Sequence, residues 1–422
     1  MRNRDRREVL KVLLATAATA AMPRLSFSQA APRLLVVGGG FAGATCAREL
    51  KRALPHASVV LVEAEAVFTA CPFSNGVVAG LRDMGDQRFG YDGVRKAGVE
   101  LVVQRGTAVD PRGRLVTLAD GVTIPYDRLV LAPGIDIRFD GVPGYSQSAA
   151  EAMPHAWKAG EQTLLLRRQL EGMDDGGTVV MSVPANPYRC PPGPYERASL
   201  IAYYLKERKP RAKLIVLDAK DTFSKQRLFQ AAWKELYPNL EWIGLSSGGK
   251  VTAVDPATKT FTTEFGDHRA DVGNVIPPQR AGAIAQAASV ADRTGWCPID
   301  PETFESKLQP NIHVIGDACI AGAMPKSAFS ANAQAKVCAA AIASMLKGER
   351  PGEAKLINTC YSLVAPDYGI SVAGVYRPAN GLLADIDGAG GVSPLDAPRS
   401  FRALEAQYAE SWFVTTTAEV FG

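Results

Sequence analysis

The seven cysteines are the residues of this 422-residue chain best suited to redox chemistry, because a thiolate is a nucleophile and two thiols can form a disulfide. They are Cys46, Cys71, Cys190, Cys297, Cys319, Cys338 and Cys360. Seven is an odd number and too few for a disulfide scaffold in a chain of this length. No Cys-x-x-Cys occurs, and the four histidines show no metal-ligand spacing. We therefore expect no metal site and no c-type haem attached to this chain.

A glycine-rich turn provides the second chemical signal. The segment "RLLVVGGGFAGATCARELKRAL" predicts a buried strand, a turn and a helix, with Gly38, Gly40 and Gly43 forming G-x-G-x-x-G. The turn brings backbone N–H groups and a helix N-terminus to a pyrophosphate. Glu63 closes the next strand, "ASVVLVE", where it can accept hydrogen bonds from a ribose. This unit predicts dinucleotide binding.

Two later segments favour FAD over NAD at this turn. "YDRLVLAPG" and "NIHVIGDACIAG" resemble the fingerprints of the FAD domain in the pyridine nucleotide-disulfide reductase superfamily. The resemblance implies that Asp317 hydrogen-bonds the ribityl chain. It also implies that the following helix points its N-terminus at the pyrimidine edge of the flavin, where its dipole stabilises the anionic reduced ring.

That superfamily inserts a second βαβ domain for NAD(P)H, which would here run from about residue 176 to 291. "GGTVVMSV" and "AKLIVLDAK" predict its strands, and "VPANPYRCPPGPYERA" stands where its phosphate turn belongs. Prolines offer no N–H to a phosphate. The turn contains Pro184, Pro187, Pro191, Pro192 and Pro194. We expect a domain that has kept its fold and binds no NAD(P)H; an atypical NAD site is the alternative.

The cysteine-centred segments carry a closer resemblance. "TACPFSNGVVAG", "RCPPGPYERA", "WCPID" and "NTCYSLVAPDYGISVAGVY" resemble the flavoprotein subunit of flavocytochrome c sulfide dehydrogenase, a family that belongs with the sulfide:quinone oxidoreductases. The resemblance implies that Cys71 links covalently to the 8α carbon of FAD, and that Cys190 and Cys360 form a redox-active disulfide over the flavin. The alternatives are a buried Cys71 beside non-covalent FAD, and a structural disulfide or two free thiols at the other two positions.

Three further residues are assigned less firmly by their motifs. Glu196 either takes a proton from sulfide or a persulfide, or is a helix-start acid that interacts with the helix dipole. Trp412 either reaches the flavin face or packs in the core, and Cys297 is expected to pack. Because Cys190 precedes a helix N-terminus, the dipole is expected to lower its thiol pKa.

The predicted fold class is α/β, with two Rossmann-like βαβ domains (an FAD domain split by a degenerate NAD-type domain) and a C-terminal α+β domain. The predicted boundaries are residues 1–30 for an export signal, 31–150 for the first segment of the FAD domain, 151–290 for the NAD-like domain, 291–350 for the second segment of the FAD domain and 351–422 for an interface domain.

The N-terminus predicts export to the periplasm. Arg6 and Arg7 precede a short apolar stretch, and small residues favour cleavage after Ala30, as in a twin-arginine signal; a general secretory signal is the alternative. No later segment approaches 18 apolar residues, so we expect no integral membrane protein. The net charge of +4 is small, and basic residues do not cluster with aromatic ones, which argues against nucleic-acid binding.

The function implied by the resemblance is FAD-dependent oxidation of sulfide to sulfur or polysulfide. Hydrosulfide would open the Cys190–Cys360 disulfide, and FAD would pass the electrons to a separate c-type cytochrome subunit. The first alternative is a sulfide:quinone oxidoreductase, although the short C-terminal segment lacks paired basic amphipathic helices for a membrane surface. The second is a flavin-bearing thiol-redox partner of a sulfur-carrier protein.

Overall fold

A computed structural model describes residues 31–422. Its α-helices, in chain order, are α1 (Phe41–Ala53), α2 (Ser74–Val78), α3 (Asp92–Lys96), α4 (Ala149–Ala152), α5 (Glu161–Gly172), α6 (Gly193–Arg208), α7 (Gln226–Leu236), α8 (Ile284–Ala287), α9 (Ala328–Leu346) and α10 (Arg399–Phe421). The predicted export signal, residues 1–30, lies outside the described residues.

The strands are, in chain order, β1 (Arg33–Val37), β2 (Ser58–Glu63), β3 (Phe68–Thr69), β4 (Arg88–Phe89), β5 (Glu100–Val103), β6 (Gly106–Asp110), β7 (Leu115–Leu118), β8 (Thr123–Pro125), β9 (Arg128–Leu131), β10 (Ile135–Ile137), β11 (Thr178–Val183), β12 (Lys213–Asp218), β13 (Leu240–Ile243), β14 (Val251–Asp255), β15 (Thr260–Thr263), β16 (Gly266–Arg269), β17 (Val272–Val275), β18 (Gln279–Ala281), β19 (Cys297–Pro298), β20 (Ile312–Val314), β21 (Cys319–Ile320), β22 (Leu356–Ala365), β23 (Tyr368–Ala379), β24 (Leu382–Asp385) and β25 (Gly391–Val392).

The first large sheet is parallel, in the order β20-β9-β1-β2-β5. Its central strand reads RLLVV, and Leu34 to Val37 are buried, as a strand covered on both faces requires. The edge strand β20 pairs Ile312 with Leu129, two residues that are far apart in the chain. The sheet is therefore built from two distant segments of the chain, as predicted for a split FAD domain. We call β1, α1 and β2 the first module.

The second large sheet is also parallel, in the order β13-β12-β11-β17, and its strands come from the segment between the two halves of the first sheet. Helix α6 connects β11 to β12, which pair in register from Thr178 with Lys213 to Val183 with Asp218. This is the predicted second βαβ unit. We call β11, α6 and β12 the inserted module.

The C-terminal segment is antiparallel and helical, as predicted. Strands β22, β23 and β24 form an antiparallel sheet, and α10 packs on it. The end of α10 reaches the first module, where Phe421 contacts Phe41, Phe68 and Phe89 with ring centroids 5.2 to 5.8 Å apart. This aromatic cluster fixes the C-terminal helix over the start of α1.

Residues Pro32–Gly422 form one compact unit. The fold class is confirmed by the sheets, whereas the predicted domain boundaries remain predictions. No helix among residues 31–422 is both long enough and apolar enough to cross a membrane. The same residues contain no group of three or more His, Cys, Asp or Glu side chains arranged to hold a metal ion.

Candidate active site

A cavity of about 710 Å³ lies where the first module, the inserted module and the C-terminal sheet meet. Nearly every residue predicted for the site lines it. These residues are Gly38, Gly40, Glu63, Cys71, Cys190, Glu196, Asp317 and Cys360. The structure therefore brings together side chains drawn from most of the length of the chain.

Gly43, the remaining predicted residue, is not among the residues that line the cavity, but it packs against the turn that does. A Cβ at Gly43 would lie 1.7 Å from the carbonyl oxygen of Gly38, so only glycine permits this packing of α1 on the turn. Gly38 has φ +99°, and a Cβ there would lie 2.3 Å from the oxygen of Ala132. Both glycines are required for a tight turn that presents the N-terminus of α1 to the cavity, which fits a pyrophosphate.

Glu63 stands at the end of β2, beside this turn. Its carboxylate accepts hydrogen bonds from the backbone N–H of Gly39 and, at 3.1 Å, from that of Glu65. The side chain also lines the cavity. It is therefore placed where the sequence predicted, with its carboxylate next to the glycine turn.

Asp317 gives the most direct test of whether FAD fits. Its Oδ1 is buried with no hydrogen-bond partner among residues 31–422, and its Oδ2 lies 4.0 Å from Nη1 of Arg189. Burial raises the pKa of Asp317, while Arg189 and Lys326 oppose the rise. An unpartnered buried acceptor in a cavity suits a hydroxyl donor such as a ribityl chain. The residues present fit FAD.

The start of α9 supports the same fit. Ser327 caps this helix by accepting a hydrogen bond from the N–H of Ser330 at 3.0 Å, and Ser327, Ala328 and Phe329 line the cavity. The predicted helix N-terminus therefore does face the site, although a loop separates Asp317 from the cap Ser327 and the first residues of α9. Its dipole favours negative charge in the cavity.

Cys71 is half-buried in the loop after β3. Its Sγ accepts a hydrogen bond from the N–H of Ala159 at 3.5 Å and lines the cavity. Its position is compatible with a bond to FAD, and the covalent link stays a prediction.

Cys190 and Cys360 line the same cavity from two different elements. Cys190 lies in the proline-rich turn with φ +58°, held by a 2.8 Å hydrogen bond from its N–H to the oxygen of Lys326. Cys360 lies on β22, where Nδ2 of Asn358 donates to its Sγ at 3.4 Å. Both are free thiols in the structure. The fold thus brings the predicted pair into one site, and the disulfide stays a prediction.

The prediction that the pKa of the Cys190 thiol is lowered is wrong. Burial raises the pKa of the Cys190 thiol, and the neighbouring Cys360 and Glu196 raise it further; Lys225 and Arg189 only partly oppose this. Desolvation is the largest cause, because burial disfavours the charged thiolate.

Glu196 points into the site from the first turn of α6. One carboxylate oxygen accepts from Nδ2 of Asn75 at 2.8 Å and the other from the N–H of Leu363 at 2.9 Å. Burial is the main cause that raises its pKa. The side chain is therefore more than a helix-start acid at the surface, because it lies in the cavity beside Cys190 and holds a proton more readily than an exposed glutamate.

Four cations near the cavity were missed in the sequence. Arg197 and Lys225 are buried, and Arg189 and Lys326 are partly buried. Arg197 donates to Oδ1 of Asn75 at 3.0 Å and to the oxygen of His155 at 2.9 Å, and burial lowers its pKa to about 10. Arg189 and Arg197 belong to the quoted motif around Cys190, which could have drawn attention to them. No pattern in the sequence marks Lys225.

The remaining cysteines lie away from the cavity lining. Cys297 and Cys319 are buried partners on the parallel strands β19 and β21, and Cys46 faces Cys338 between α1 and α9. The packing expectation for Cys297 agrees with its burial. Trp412, in contrast, does line the cavity, where its ring stacks on Phe329 at 6.0 Å.

The inserted module differs from the first module at the end of its second strand. Asp218 ends β12 as Glu63 ends β2, but Asp218 is fully buried. Its carboxylate accepts from Tyr195 Oη at 2.7 Å, Trp242 Nε1 at 3.1 Å and Lys220 Nζ at 2.6 Å. The ring of Tyr195 also stacks on Phe223 at 3.6 Å. Side chains of the protein itself thus occupy the surroundings of this carboxylate.

Comparison with known proteins agrees with this architecture. A model described as the pyridine nucleotide-disulphide oxidoreductase family matches residues 32–170. Models described as the central part of the sulfide dehydrogenase [flavocytochrome c] flavoprotein chain and as the flavocytochrome c sulphide dehydrogenase flavin-binding family match residues 163–277 and 352–421. The sulfide dehydrogenase [flavocytochrome c] flavoprotein chain of Chlorobaculum thiosulfatiphilum is 53% identical over 45 residues, which are 94% of that relative and 11% of this chain.

The chain belongs to the flavocytochrome c sulfide dehydrogenase flavoprotein family. This is a family of oxidoreductases, and its flavin-binding segment includes Cys360. Mitochondrial sulfide:quinone oxidoreductase of Mus musculus is 24% identical over 75% of this chain and 72% of its own length. The crystal structure of sulfide:quinone oxidoreductase from Aquifex aeolicus covers 92% of both chains with a TM-score of 0.73 at 18% identity, which shows a shared fold.

Proposed function

We propose that this chain is an FAD-dependent sulfide dehydrogenase that oxidises sulfide to sulfur or polysulfide through a Cys190–Cys360 disulfide and passes the electrons to a c-type cytochrome subunit. One observation carries the proposal. Two cysteines far apart in the chain line a single cavity, together with the glycine turn and Asp317 that fit FAD. Membership of the sulfide dehydrogenase flavoprotein family supports the choice of substrate.

The first step is an exchange of bonds between sulfur atoms. HS⁻ attacks one sulfur of the disulfide, which forms a persulfide on that cysteine and leaves the other as a thiolate. A second HS⁻ attacks the outer sulfur of the persulfide, so that hydrogen disulfide is released and the second cysteine also becomes a thiolate. Two sulfides have then lost two electrons, and both electrons reside on the cysteine pair.

Glu196 is the proposed acceptor and donor of protons in these steps. Its carboxyl group lies beside Cys190, and burial holds its pKa above the ordinary value. A group of this kind takes the proton of H₂S or of a persulfide and returns it to solvent or product. Its hydrogen bonds from Asn75 and Leu363 fix its orientation toward the cavity.

FAD, when bound, would supply a two-electron acceptor that can also give up its electrons one at a time. The residues that would hold it are Gly38 and Gly43 at the pyrophosphate, Glu63 at the ribose and Asp317 at the ribityl chain. Cys71 would form the thioether. A tether of this kind prevents loss of the cofactor outside the cell, where none is synthesised.

NAD(P)H is excluded in this proposal. Asp218 is fully buried among Tyr195, Trp242 and Lys220, so its carboxylate is not exposed to a ribose. The five prolines near the turn after β11 remove N–H donors from the position of a phosphate. Electrons must therefore enter from the cysteine pair.

The electron acceptor and the compartment are further elements of the proposal. Since the sequence contains no Cys-x-x-Cys-His, the haem belongs to a partner cytochrome subunit. We place the protein in the periplasm on the twin-arginine pattern of residues 1–30. The similarity to sulfide:quinone oxidoreductases makes a quinone the second candidate acceptor.

Anaerobic mixing of the purified flavoprotein with sulfide tests the proposal. We expect sulfide to bleach the flavin and a c-type cytochrome to re-oxidise it, while Cys190→Ser and Cys360→Ser each slow bleaching by about a thousandfold. Cys297→Ala, at a buried cysteine outside the cavity lining, is the matched control and should bleach normally. Re-oxidation by a short-chain quinone but not by cytochrome would transfer the activity to the quinone class. A flavin that sulfide does not reduce would overturn sulfide oxidation and favour the partner of a sulfur carrier.

A further inference from the structure

Lys225 is a buried lysine beside the cysteine pair that no step of the mechanism above uses. It is 8% exposed, precedes α7 with φ +62°, and extends its ammonium group to the C-terminal sheet. Its Nζ donates to the backbone oxygen of Cys360 at 2.8 Å, to Oγ of Ser362 at 2.8 Å and to the oxygen of Ile370 at 3.4 Å. These three acceptors are all neutral.

A buried ammonium with neutral partners is costly, since desolvation is repaid in full only by an opposite charge. Burial lowers the pKa of Lys225 to about 8, and four groups from other elements counteract it. In order of effect, these are Cys360 on β22, Glu196 on α6, Cys190 in the turn and Glu405 on α10. The cation thus faces the thiolates that would form in the site.

The chemistry of disulfide opening creates the missing charge. When HS⁻ attacks a disulfide, one S–S bond breaks and another forms, so the negative charge that HS⁻ brings ends on the departing cysteine sulfur. In a buried site this thiolate is unfavourable without a nearby cation. The ammonium group of Lys225 donates a hydrogen bond to the backbone oxygen of Cys360, one of the two cysteines.

We propose that Lys225 is a positioning residue whose buried charge stabilises the thiolate released from the Cys190–Cys360 pair. The inference rests on the proposed function of that pair. It predicts that the charge of Lys225, and not merely its hydrogen bonds to β22 and β23, sets the pH at which the reduced pair ionises.

Lys220 provides a matched control earlier in the same loop. It also is largely buried and donates to a backbone oxygen, that of Pro184, at 3.0 Å. Its charge, however, is already paired with Asp218 at 2.6 Å inside the inserted module. Removal of Lys220 should therefore cost stability without changing ionisation of the cysteine pair.

The experiment compares Lys225→Met, Lys225→Gln, Lys225→Arg and Lys220→Met with the wild type. The cysteine pair is reduced with a phosphine, and alkylation of Cys190 and Cys360 by iodoacetamide is followed by mass spectrometry across a range of about pH 6 to pH 12, which extends above ordinary thiol pKa values because burial raises the pKa of Cys190. In parallel, the thiolate-to-flavin absorbance band is titrated after one equivalent of sulfide. Both neutral variants should shift the midpoint of the pair upward by about one pH unit and slow sulfide bleaching at neutral pH about tenfold. Lys225→Arg and Lys220→Met should keep the wild-type midpoint.

Identical midpoints in wild type and both neutral variants, with only the melting temperature lowered, would overturn the proposal and leave Lys225 as a structural link. Because Gln retains a donor, it tests the role of the charge even where Met prevents folding. The alkylation arm needs no sulfide. If sulfide does not bleach the wild type, the proposed function fails, while the alkylation midpoints still decide whether Lys225 governs the pair.

Discussion

The first module and the inserted module share a backbone plan and differ in what they offer a nucleotide. Each consists of a buried parallel strand, a helix and a second strand that ends in a carboxylate, Glu63 or Asp218. In the first module a glycine turn opens onto the cavity beside Glu63. In the inserted module a proline-rich turn carries Cys190, and the protein's own side chains surround Asp218. The βαβ fold is therefore compatible with nucleotide binding, but whether a nucleotide binds depends on the turn and on the surroundings of the carboxylate.

The comparison also explains the position of Cys190. The proline-rich turn that carries it follows the carboxyl end of the parallel strand β11, where α/β proteins place their ligands. In this chain the turn lines the same cavity as the glycine turn of the first module. A cysteine at this turn can act on a cofactor held by the other module.

A substitution of Gly43 in helix α1 of the first module should have the largest effect on FAD binding. We expect Gly43→Val to abolish FAD binding, because a Cβ would stand 1.7 Å from the oxygen of Gly38 and displace the turn. The flavin content of the purified protein measures this. Gly172→Val, at a glycine with open space around it, is the control and should retain FAD. Full flavin content in Gly43→Val would remove the steric argument for the turn.

Removal of the carboxylate that ends the second strand should affect the two modules differently. Asp218→Ala leaves Tyr195, Trp242 and Lys220 without their buried partner, and we expect a loss of about 3–5 kcal/mol in the free energy of unfolding with FAD retained. Glu63→Ala should weaken FAD retention with a smaller loss. Denaturant unfolding and flavin content report the two effects. NADH should bleach neither variant nor the wild type, and bleaching by NADH would show that the inserted module still binds a nicotinamide.

The surroundings of His155, whose backbone oxygen accepts from Arg197, should respond to acid. His155 accepts a hydrogen bond from the N–H of Trp157 at 2.9 Å, and burial, helped by nearby cations, lowers its pKa from 6.5 to about 4. The unfolded chain therefore takes up a proton near pH 6.5 that the folded state refuses, so stability falls as the pH drops from 6.5 toward 4. Between about pH 7 and pH 5, the wild type should lose about 2 kcal/mol more than His155→Asn. An exposed His56→Asn variant should behave as wild type, and parallel curves for wild type and His155→Asn would contradict the shift.

The smallest expected effect concerns the tether. Cys71→Ser should bind FAD in the same cavity but release it when the protein is denatured in acid, because no covalent bond would then hold the flavin to the chain. Mass spectrometry of the peptide that contains Cys71 gives the complementary result, with the mass of FAD added in the wild type. An unmodified wild-type peptide would restrict Cys71 to non-covalent contact.

The features of the fold that local patterns encode were predictable from the sequence. The apolar runs of β1, β2, β11 and β12 and the spacing of Gly38, Gly40 and Gly43 define the two modules without tertiary information. Cys190 and Cys360, in contrast, were paired only through the family resemblance. Nothing in their separation along the chain shows that a turn and a strand meet at one cavity.

Properties that depend on burial were the least predictable. The pKa of Cys190 rises because of tertiary packing, which no helix boundary in the sequence reveals. Lys225 reaches the site because its loop packs on β22 and β23, elements that lie far along the chain from it. The network around Asp218 likewise draws Tyr195 and Trp242 from separate elements.

Non-reducing peptide mapping of the oxidised flavoprotein tests the central claim most directly. We expect one cross-linked species that joins the peptides of Cys190 and Cys360. Anaerobic treatment with one equivalent of sulfide should replace this species by a peptide heavier by one sulfur atom and by a free thiol. If Cys190 and Cys360 are both free in the oxidised protein, or either is bonded to a different cysteine, the claim that they oxidise sulfide as a pair is contradicted.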